Sequence, residues 1–317
     1  MKTRIGKKNS LRDYGILIVF VALCIIVGIA APGFFRGRNL MNVLRQNSVI
    51  GIIAAGATCM IISGNFDISV GYICSFSGAV LAILVAQLGV PVWIAIIAAV
   101  LAGMLVGTCS GLIVAKLGVS SMIATLGMGQ IVNGLTLSIT QGYPISVSND
   151  FLGWLGKGSV IGLLVPAIVF FVVILLVNFM MKKTETGWSI YAIGGNSEAS
   201  RLSGIRVDKI TILVFSLSGA LAALGGVVLT GRAMVANPTA GTGYELDAIA
   251  AVVIGGTCIS GGEGSALRTI IGVLFIAVIS NALNLFGMDQ YFQYVVKGAI
   301  IVAAVGFDSY RRYKSRE

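Results

Sequence analysis

An all-α bundle of about ten transmembrane helices, some of them broken or re-entrant, is the fold the sequence predicts, on three observations. Of the 317 residues, 57% are hydrophobic and 11% charged, with a mean hydropathy of +0.97. That is more apolar surface than one soluble core can hide, so lipid must be the main solvent. The 42 glycines agree, because helices in lipid associate through close backbone approach at small residues. The third observation is where the charges sit. They gather in an N-terminal tail (Lys2, Arg4, Lys7, Lys8, Arg12), a central polar stretch (Lys182, Lys183, Arg201, Arg206, Lys209) and a C-terminal tail (Arg311, Arg312, Lys314, Arg316). The net charge of +10 therefore follows the positive-inside pattern, with both termini and one large loop cytoplasmic, and does not describe a nucleic-acid-binding face.

A spanning helix needs about 20 apolar residues. Candidate segments lie at 14–32, 47–63, 70–90, 91–115, 119–140, 160–181, 210–230, 247–260, 266–287 and 291–307. They define one membrane domain over 14–309, flanked by tails 1–13 and 310–317, with 182–209 as its cytoplasmic loop. Threaded from a cytoplasmic N-terminus, 33–46, 141–159 and 231–246 fall outside; sixteen Lys and Arg lie inside, five outside and Lys297 within the last span, near enough to its outer end to snorkel. Arg36, Arg38 and Arg45 in an outer segment oppose that bias, which leaves a re-entrant 47–63 and a total of eight or nine spans as the alternative. The first apolar run follows a basic tail as a secretory signal would, and Gly28-Ile29-Ala30-Ala31 resembles a weak cleavage site. Its length favours an uncleaved helix.

Two apolar segments are broken. One is interrupted at Ser63-Gly64-Asn65-Phe66-Asp67-Ile68-Ser69-Val70-Gly71; the other, Ala248 to Ser260, ends in Gly261-Gly262-Glu263-Gly264-Ser265. Backbone that leaves the helix at membrane depth is tolerated where protein or a water-filled cavity surrounds it, so these breaks point to a solute path. The plainer reading makes them tight turns at the cytoplasmic face, with Asp67 capping the next helix through its carboxylate. Small residues four apart (Gly103, Gly107, Gly111; Gly219 and Ala223; Ala222 and Gly226) predict close helix packing. A short echo, Gly56-Ala57-Thr58-Cys59 with Ser63-Gly64 against Gly255-Gly256-Thr257-Cys258 with Ser260-Gly261, hints at internal duplication. The five cysteines lie in apolar runs without the paired spacing of a zinc site and read as core residues.

Catalytic chemistry is missing from the sequence. There is no histidine, no phosphate-cradling loop and no dinucleotide fingerprint; Leu155-Gly156-Lys157-Gly158-Ser159 only resembles a fragment of such a loop. No cofactor and no metal site are expected. Nor is there a buried acid–base pair of the kind that couples a carrier to protons, so any energy must come from a partner. The polar stretch is the place to meet one. Asn196 or Ser197 can cap a short helix with Glu198 in its first turn, and Gly204 can end it. Such a helix fits a groove on a soluble protein; the alternative is a solvated connector.

Thr186-Gly187-Trp188 followed by Ala192-Ile193-Gly194-Gly195-Asn196-Ser197-Glu198-Ala199-Ser200-Arg201-Leu202-Ser203-Gly204-Ile205 resembles the coupling segment of carbohydrate-uptake ABC importer permeases of the ribose, galactose, arabinose and xylose group. Gly64 to Gly71 is similar to that family's Gly-x-x-Asp-Leu-Ser-Val-Gly signature, with Ile68 for Leu and an aromatic Phe66, and Asn237 to Thr257 is similar to its most recognisable run. The likeness extends from Pro32-Gly33-Phe34-Phe35 to Phe307-Asp308. Branched-chain amino-acid permeases are more distant relatives. The resemblance implies a permease in the bacterial inner membrane that pairs with a second copy or paralogue, takes a small, ribose-like sugar from a periplasmic binding protein and is driven by a cytoplasmic ATPase with two nucleotide-binding domains. It assigns ATPase coupling to Gly195, Asn196, Glu198, Ala199, Arg201, Leu202 and Gly204. The path or gate falls to Asn65, Phe66, Asp67, Ser69, Gly255, Gly256 and Thr257, and the outer docking face to Asn237, Pro238, Thr239, Tyr244 and Glu245. A secondary carrier and a transport-inactive scaffold are the competing readings.

Overall fold

A computed structural model describes residues 9–314. Helices α1 (Asn9–Ala30), α2 (Gly37–Ile62) and α3 (Val70–Ala82, continued by a π-helical turn over Ile83–Gln87) come first, then α4 (Val92–Leu117) and α5 (Ser121–Thr140). Strand β1 (Ile145–Ser146), helix α6 (Asp150–Lys157) and strands β2 (Ser159–Val160) and β3 (Leu163–Leu164) lead into α7 (Val165–Lys183). Next are α8 (Glu185–Gly195), α9 (Ser197–Leu202), α10 (Val207–Ala233), β4 (Val235–Ala236), α11 (Tyr244–Ile254), α12 (Ala266–Leu285) and α13 (Gln290–Lys314). Among the described residues seven helices are long and apolar enough to cross a membrane: α2, α3 with its π turn, α4, α5, α7, α10 and α12. Gly15–Ala30 is a shorter apolar helix. The chain is a polytopic helical membrane protein.

Three boundaries differ from those expected. Helix α2 begins at Gly37, so Arg38 and Arg45 ride on a helix and not in an outer loop. Helix α11 has 11 residues; at about 1.5 Å per residue it reaches about half of a 30 Å hydrocarbon core and is a half-helix. The segment 141–164 carries small antiparallel pairings that an all-α reading omits, β1 with β4 and β2 with β3. The phosphate-loop look-alike ends α6, where a Cβ on Gly156 would strike the backbone of Gly231 and Arg232. That glycine exists for packing.

Helix α2 is the centre of the bundle. It is buried without a break from Asn47 to Ile62, and it is enclosed by α7, α10, α11 and α12. A helix apolar on every side belongs inside such a bundle. The predicted small-residue ridges find each other: Gly103 and Gly107 on α4 lie against the Gly219 backbone of α10, where any added Cβ would collide, and Gly111 lies against Ile212. Of the five cysteines read as core residues, Cys59 and Cys74 are buried while Cys24, Cys109 and Cys258 are part-exposed, and no group of potential metal ligands occurs among the described residues.

The two ends of the bundle are fixed by polar ties. At the end that carries α8 and α9, Lys116 Nζ at the close of α4 pairs with Asp208 at the start of α10, 2.8 Å apart. At the opposite end the Asn39 and Asn281 side chains exchange amide hydrogen bonds of 2.9 Å, and Arg232 Nη1 donates to the Gln46 carbonyl at 3.0 Å. Helix α1 packs Val27 and Ala31 against Val278 and Ala282 near the close of α12, so it starts at the α8–α9 end. Helix α13 turns back from α12 toward that same end. Both described termini therefore share the face that holds the polar segment.

The α4–α10 contact yields a stability test. Gly107→Val is expected to lose about 1–3 kcal/mol through overpacking, read as thermal unfolding in detergent. Gly298→Ala on α13, where no atom lies within 4 Å of the added methyl, is expected to lose nothing.

Candidate functional site

Both broken helices close with the same device. At the end of α2, Gly64 N–H donates to Ile61 O and Asn65 N–H to Met60 O, both at 3.0 Å, with Gly64 at φ +78°. At the end of α11, Gly256 N–H donates to Val253 O at 2.8 Å and Thr257 N–H to Val252 O at 3.2 Å, with Gly256 at φ +84°. This pair of bonds around a left-handed glycine is a Schellman cap. The same cap also closes α9 at Gly204 and α12 at Gly287, so it sets no register between the two breaks; Thr58 and Thr257 of the sequence echo nevertheless sit differently, one inside α2 and the other in the cap after α11. Thr58 Oγ1 meets Thr269 Oγ1 at 2.8 Å, while the Thr257 hydroxyl is buried without a hydrogen-bond partner among the described residues.

Residues 63–69 leave the helix, and side chains meet several of the freed donors. Phe66 N–H donates to Ser121 Oγ at 3.2 Å and Ile68 N–H to Thr125 Oγ1 at 3.1 Å. The buried Asp67 carboxylate accepts from Ser69 N–H at 3.0 Å, Ser69 Oγ at 2.5 Å and, through its other oxygen, Ser218 Oγ on α10 at 3.0 Å. The N-cap of α3 is Ser69 and carries no side-chain cap bond. Asp67 therefore does not cap α3 as its position in sequence suggests; it pins the break to α10.

The stretch after α10 folds back into the bundle. From β4 the chain turns along α3 until Gly241 lies backbone to backbone with Gly71, its N–H donating to Ser75 Oγ at 2.9 Å. Of the residues assigned to an outer docking face, Asn237 and Thr239 are exposed, Tyr244 is half-buried, and Pro238 and Glu245 are buried. The Glu245 carboxylate accepts from Gly243 N–H and sits against Gly71. Two residues on, Asp247 pairs with Lys297 of α13 at 2.8 Å, both largely buried. Lys297 does not snorkel, and a buried acid–base pair exists where the sequence showed none, because its members lie 50 positions apart.

The coupling residues fall together on one surface. Asn196 caps α9, its Oδ1 accepting from Ala199 N–H at 2.9 Å, and Gly204 at φ +87° ends the turn that follows. Gly195, Asn196, Glu198, Ala199, Arg201, Leu202 and Gly204 are all exposed, with Leu202 at 81% and Trp188 at 71%. Of the path residues, Asp67, Ser69, Gly255 and Thr257 are buried, whereas Asn65, Phe66 and Gly256 are part-exposed. Sequence reasoning missed Ser121, Thr125 and Ser218, hydroxyls inside apolar helices. It also missed a stripe on α5. Gly127, Gln130, Gly134 and Ser138 line one exposed face there, signalled only by a glutamine at mid-span.

Residues 39–305 match a family described as branched-chain amino acid transport system / permease component. The chain belongs to this family. Among curated relatives, this permease is 43% identical over 306 residues to the ribose import permease protein RbsC of Escherichia coli (strain K12), covering 95% of each chain. It is 41% identical over 307 residues to RbsC of Bacillus subtilis (strain 168), covering 96% of this chain and 95% of that one. The L-arabinose transport system permease protein AraH of Escherichia coli (strain K12) is 35% identical over 304 residues, covering 96% of this chain and 92% of the relative. No solved structure matches.

The buried pair is open to a double-mutant test. Lys297→Met leaves Asp247 uncompensated and is expected to destabilise the permease by about 3–5 kcal/mol, and Asp247→Leu added to it is expected to restore most of the loss. Thermal unfolding in detergent reads both.

Proposed function

We propose that this permease is the membrane subunit of an ABC importer that moves a ribose-like monosaccharide across the bacterial inner membrane, powered by ATP hydrolysis on a partner. The observation that carries the reading is end-to-end similarity to permeases named for ribose import, 43% over 95% of both chains. The buried Asp247–Lys297 pair does not favour a secondary carrier, because its carboxylate is held by a fixed cation and is not presented to a cavity as a proton site.

The α8–α9 end is the cytoplasmic face in this reading, which places the described start of α1 and close of α13 there. Leu202 on α9 and Trp188 on α8 are exposed, and apolar side chains that stand out from the polar segment suit a protein contact. Glu198 and Arg201 border it. The partner is the ATPase. At the opposite face Asn237 and Thr239 are available to a periplasmic sugar-binding protein.

Helix α5 supports pairing with a second permease. Helix α4 turns Ile97, Leu101 and Leu105 outward, a face suited to lipid. Helix α5 presents Gly127, Gln130, Gly134 and Ser138 instead, flanked by apolar residues. An amide facing hydrocarbon at mid-span is costly, so this stripe belongs beside a second copy or paralogue, with water and sugar between them. Ten spans fit the reading, with α1, α13 and the α11 half-helix added to the seven long helices.

Two experiments test these assignments. Glu198→Lys and Leu202→Glu are expected to remove the ATPase from the detergent-extracted complex while membrane insertion persists, as judged by co-purification; retention of the ATPase in both would sink the docking surface. Gln130→Cys, in a background with the five native cysteines replaced, is expected to react with a membrane-impermeant maleimide in assembled proteoliposomes. A thiol that stays unreactive there, yet reacts in denatured protein, would place Gln130 against lipid or dry protein and remove α5 from the path.

A further inference from the structure

At the α8–α9 end, three segments far apart in sequence touch through backbone. Gly194, in the last turn of α8, lies so close to the Ile62 carbonyl of α2 and to the Gly262 nitrogen that a single added methyl would overlap both. A Cβ on Gly261 would lie 2.9 Å from Gly64 N and 2.9 Å from Gly194 O, and one on Gly262 would lie 3.0 Å from Gly195 N. Gly261 and Gly262 hold φ +83° and +76°, a backbone shape that side chains resist. Two hydrogen bonds close the contact: Gly262 N–H donates to Ile62 O at 2.8 Å, and Tyr191 Oη donates to Gly264 O at 2.9 Å. Ile62 and Gly64 belong to the first broken helix, and Gly261 to Gly264 join the second to α12.

We propose that this junction is the transmission joint of the importer: Gly194 and Tyr191 are positioning residues that carry motion of α8–α9 to both broken helices at once. The inference rests on the reading of α8–α9 as the ATPase-docking segment. No side chain lies between α8 and the two breaks at Gly194, so no rotamer can absorb a displacement, and close-packed backbone passes it on. The connection to α7 is just as tight: Thr184 Oγ1 donates to Met180 O at 2.7 Å and accepts from Gly187 N–H at 3.2 Å, and a Cβ on Gly187 would strike the Met180 and Met181 backbone, so α7 and α8 move as one unit. The give lies after α9, at the open turn of Gly204, φ +87°. A docked ATPase that shifts α8 therefore shifts Ile62 and Gly262 together, and the Schellman-capped ends of α2 and α11 follow.

The test uses the complete complex, permease with ATPase and binding protein, in proteoliposomes, with radiolabelled ribose as the transported probe and phosphate release as the measure of hydrolysis. The readout is ribose moved per ATP hydrolysed, a ratio that a merely smaller fraction of folded complex leaves unchanged. Gly194→Ala is expected to keep the ATPase bound and hydrolysing while the ratio falls at least tenfold. Tyr191→Phe removes one hydroxyl and no volume, and is expected to lower the ratio about fivefold, the equivalent of one hydrogen bond. It decides the matter where Gly194→Ala fails to fold. Gly298→Ala is expected to match the unsubstituted complex. An unchanged ratio in both junction variants, with the ATPase still bound, overturns the joint and leaves the docking surface standing. Loss of the ATPase from both makes the junction a support for docking and also overturns the joint. An unsubstituted permease that retains no ATPase refutes the docking reading itself, and the joint with it.

Discussion

The structure depends on one constraint: a backbone donor or acceptor at membrane depth must find its partner inside the protein. Unbroken helices meet it by themselves. This chain breaks two of them and folds a third stretch, 237–243, back between its neighbours, and polar side chains meet much of the backbone freed at the first break and in the returning stretch. Ser121, Thr125 and Asp67 serve the first break, and Ser75 serves the returning loop. The hydroxyls within apolar helices are therefore the fixed points around which the irregular backbone is arranged. Asp67 extends the principle, since its carboxylate is held by three donors, two from the turn and one from α10.

Glycine meets the second half of the constraint. Helices that gain little from hydrophobic contact in lipid hold together by approaching closely, and here the approach is carried to backbone contact. Helix α4 meets α10 at Gly103, Gly107 and Gly219, the returning loop meets α3 at Gly241 and Gly71, and α8 meets both broken helices at Gly194. The result is a bundle whose moving parts, in the importer reading, are joined without the slack of intervening side chains. In that reading the give lies at the Gly204 turn after α9, since Gly187 seats α8 on the α7 backbone as closely as Gly194 seats it on α2.

Much of this was legible from the residues. The ten apolar segments correspond in order to α1, α2, α3, α4, α5, α7, α10, α11, α12 and α13, because apolar runs of that length have few alternatives in lipid. The α9 cap was legible for a local reason: Asn196 and Gly204 act through neighbours three or four positions away. The ridge on α4 was legible as spacing, although its partner on α10 was not. What escaped were contacts between residues distant in sequence. Lys297 reads as a lone cation near a helix end until Asp247 is brought to it by the half-helix α11. Asp67 reads as a cap for the helix that follows it until α10 supplies Ser218. The echo of Gly-x-Thr-Cys puts its two threonines in different settings, Thr58 inside α2 bonded to Thr269 and Thr257 in the cap after α11, because a four-residue match does not encode where a helix ends.

The sequence by itself determined that this protein lives in lipid, that its helices pack through small residues, that two of them break, and that one polar segment lies between the apolar helices. Composition, hydropathy and short-range capping fix those properties, and each acts within a few residues of chain. Only the tertiary structure decided that both breaks and the polar segment meet at one backbone junction, that Glu245 is buried while Asn237 is exposed, and that a buried ion pair ties α13 to α11. Those outcomes depend on which helices become neighbours. In a membrane that choice follows from the fit of small surfaces and the pairing of scattered polar groups, and neither leaves a periodic mark along the chain.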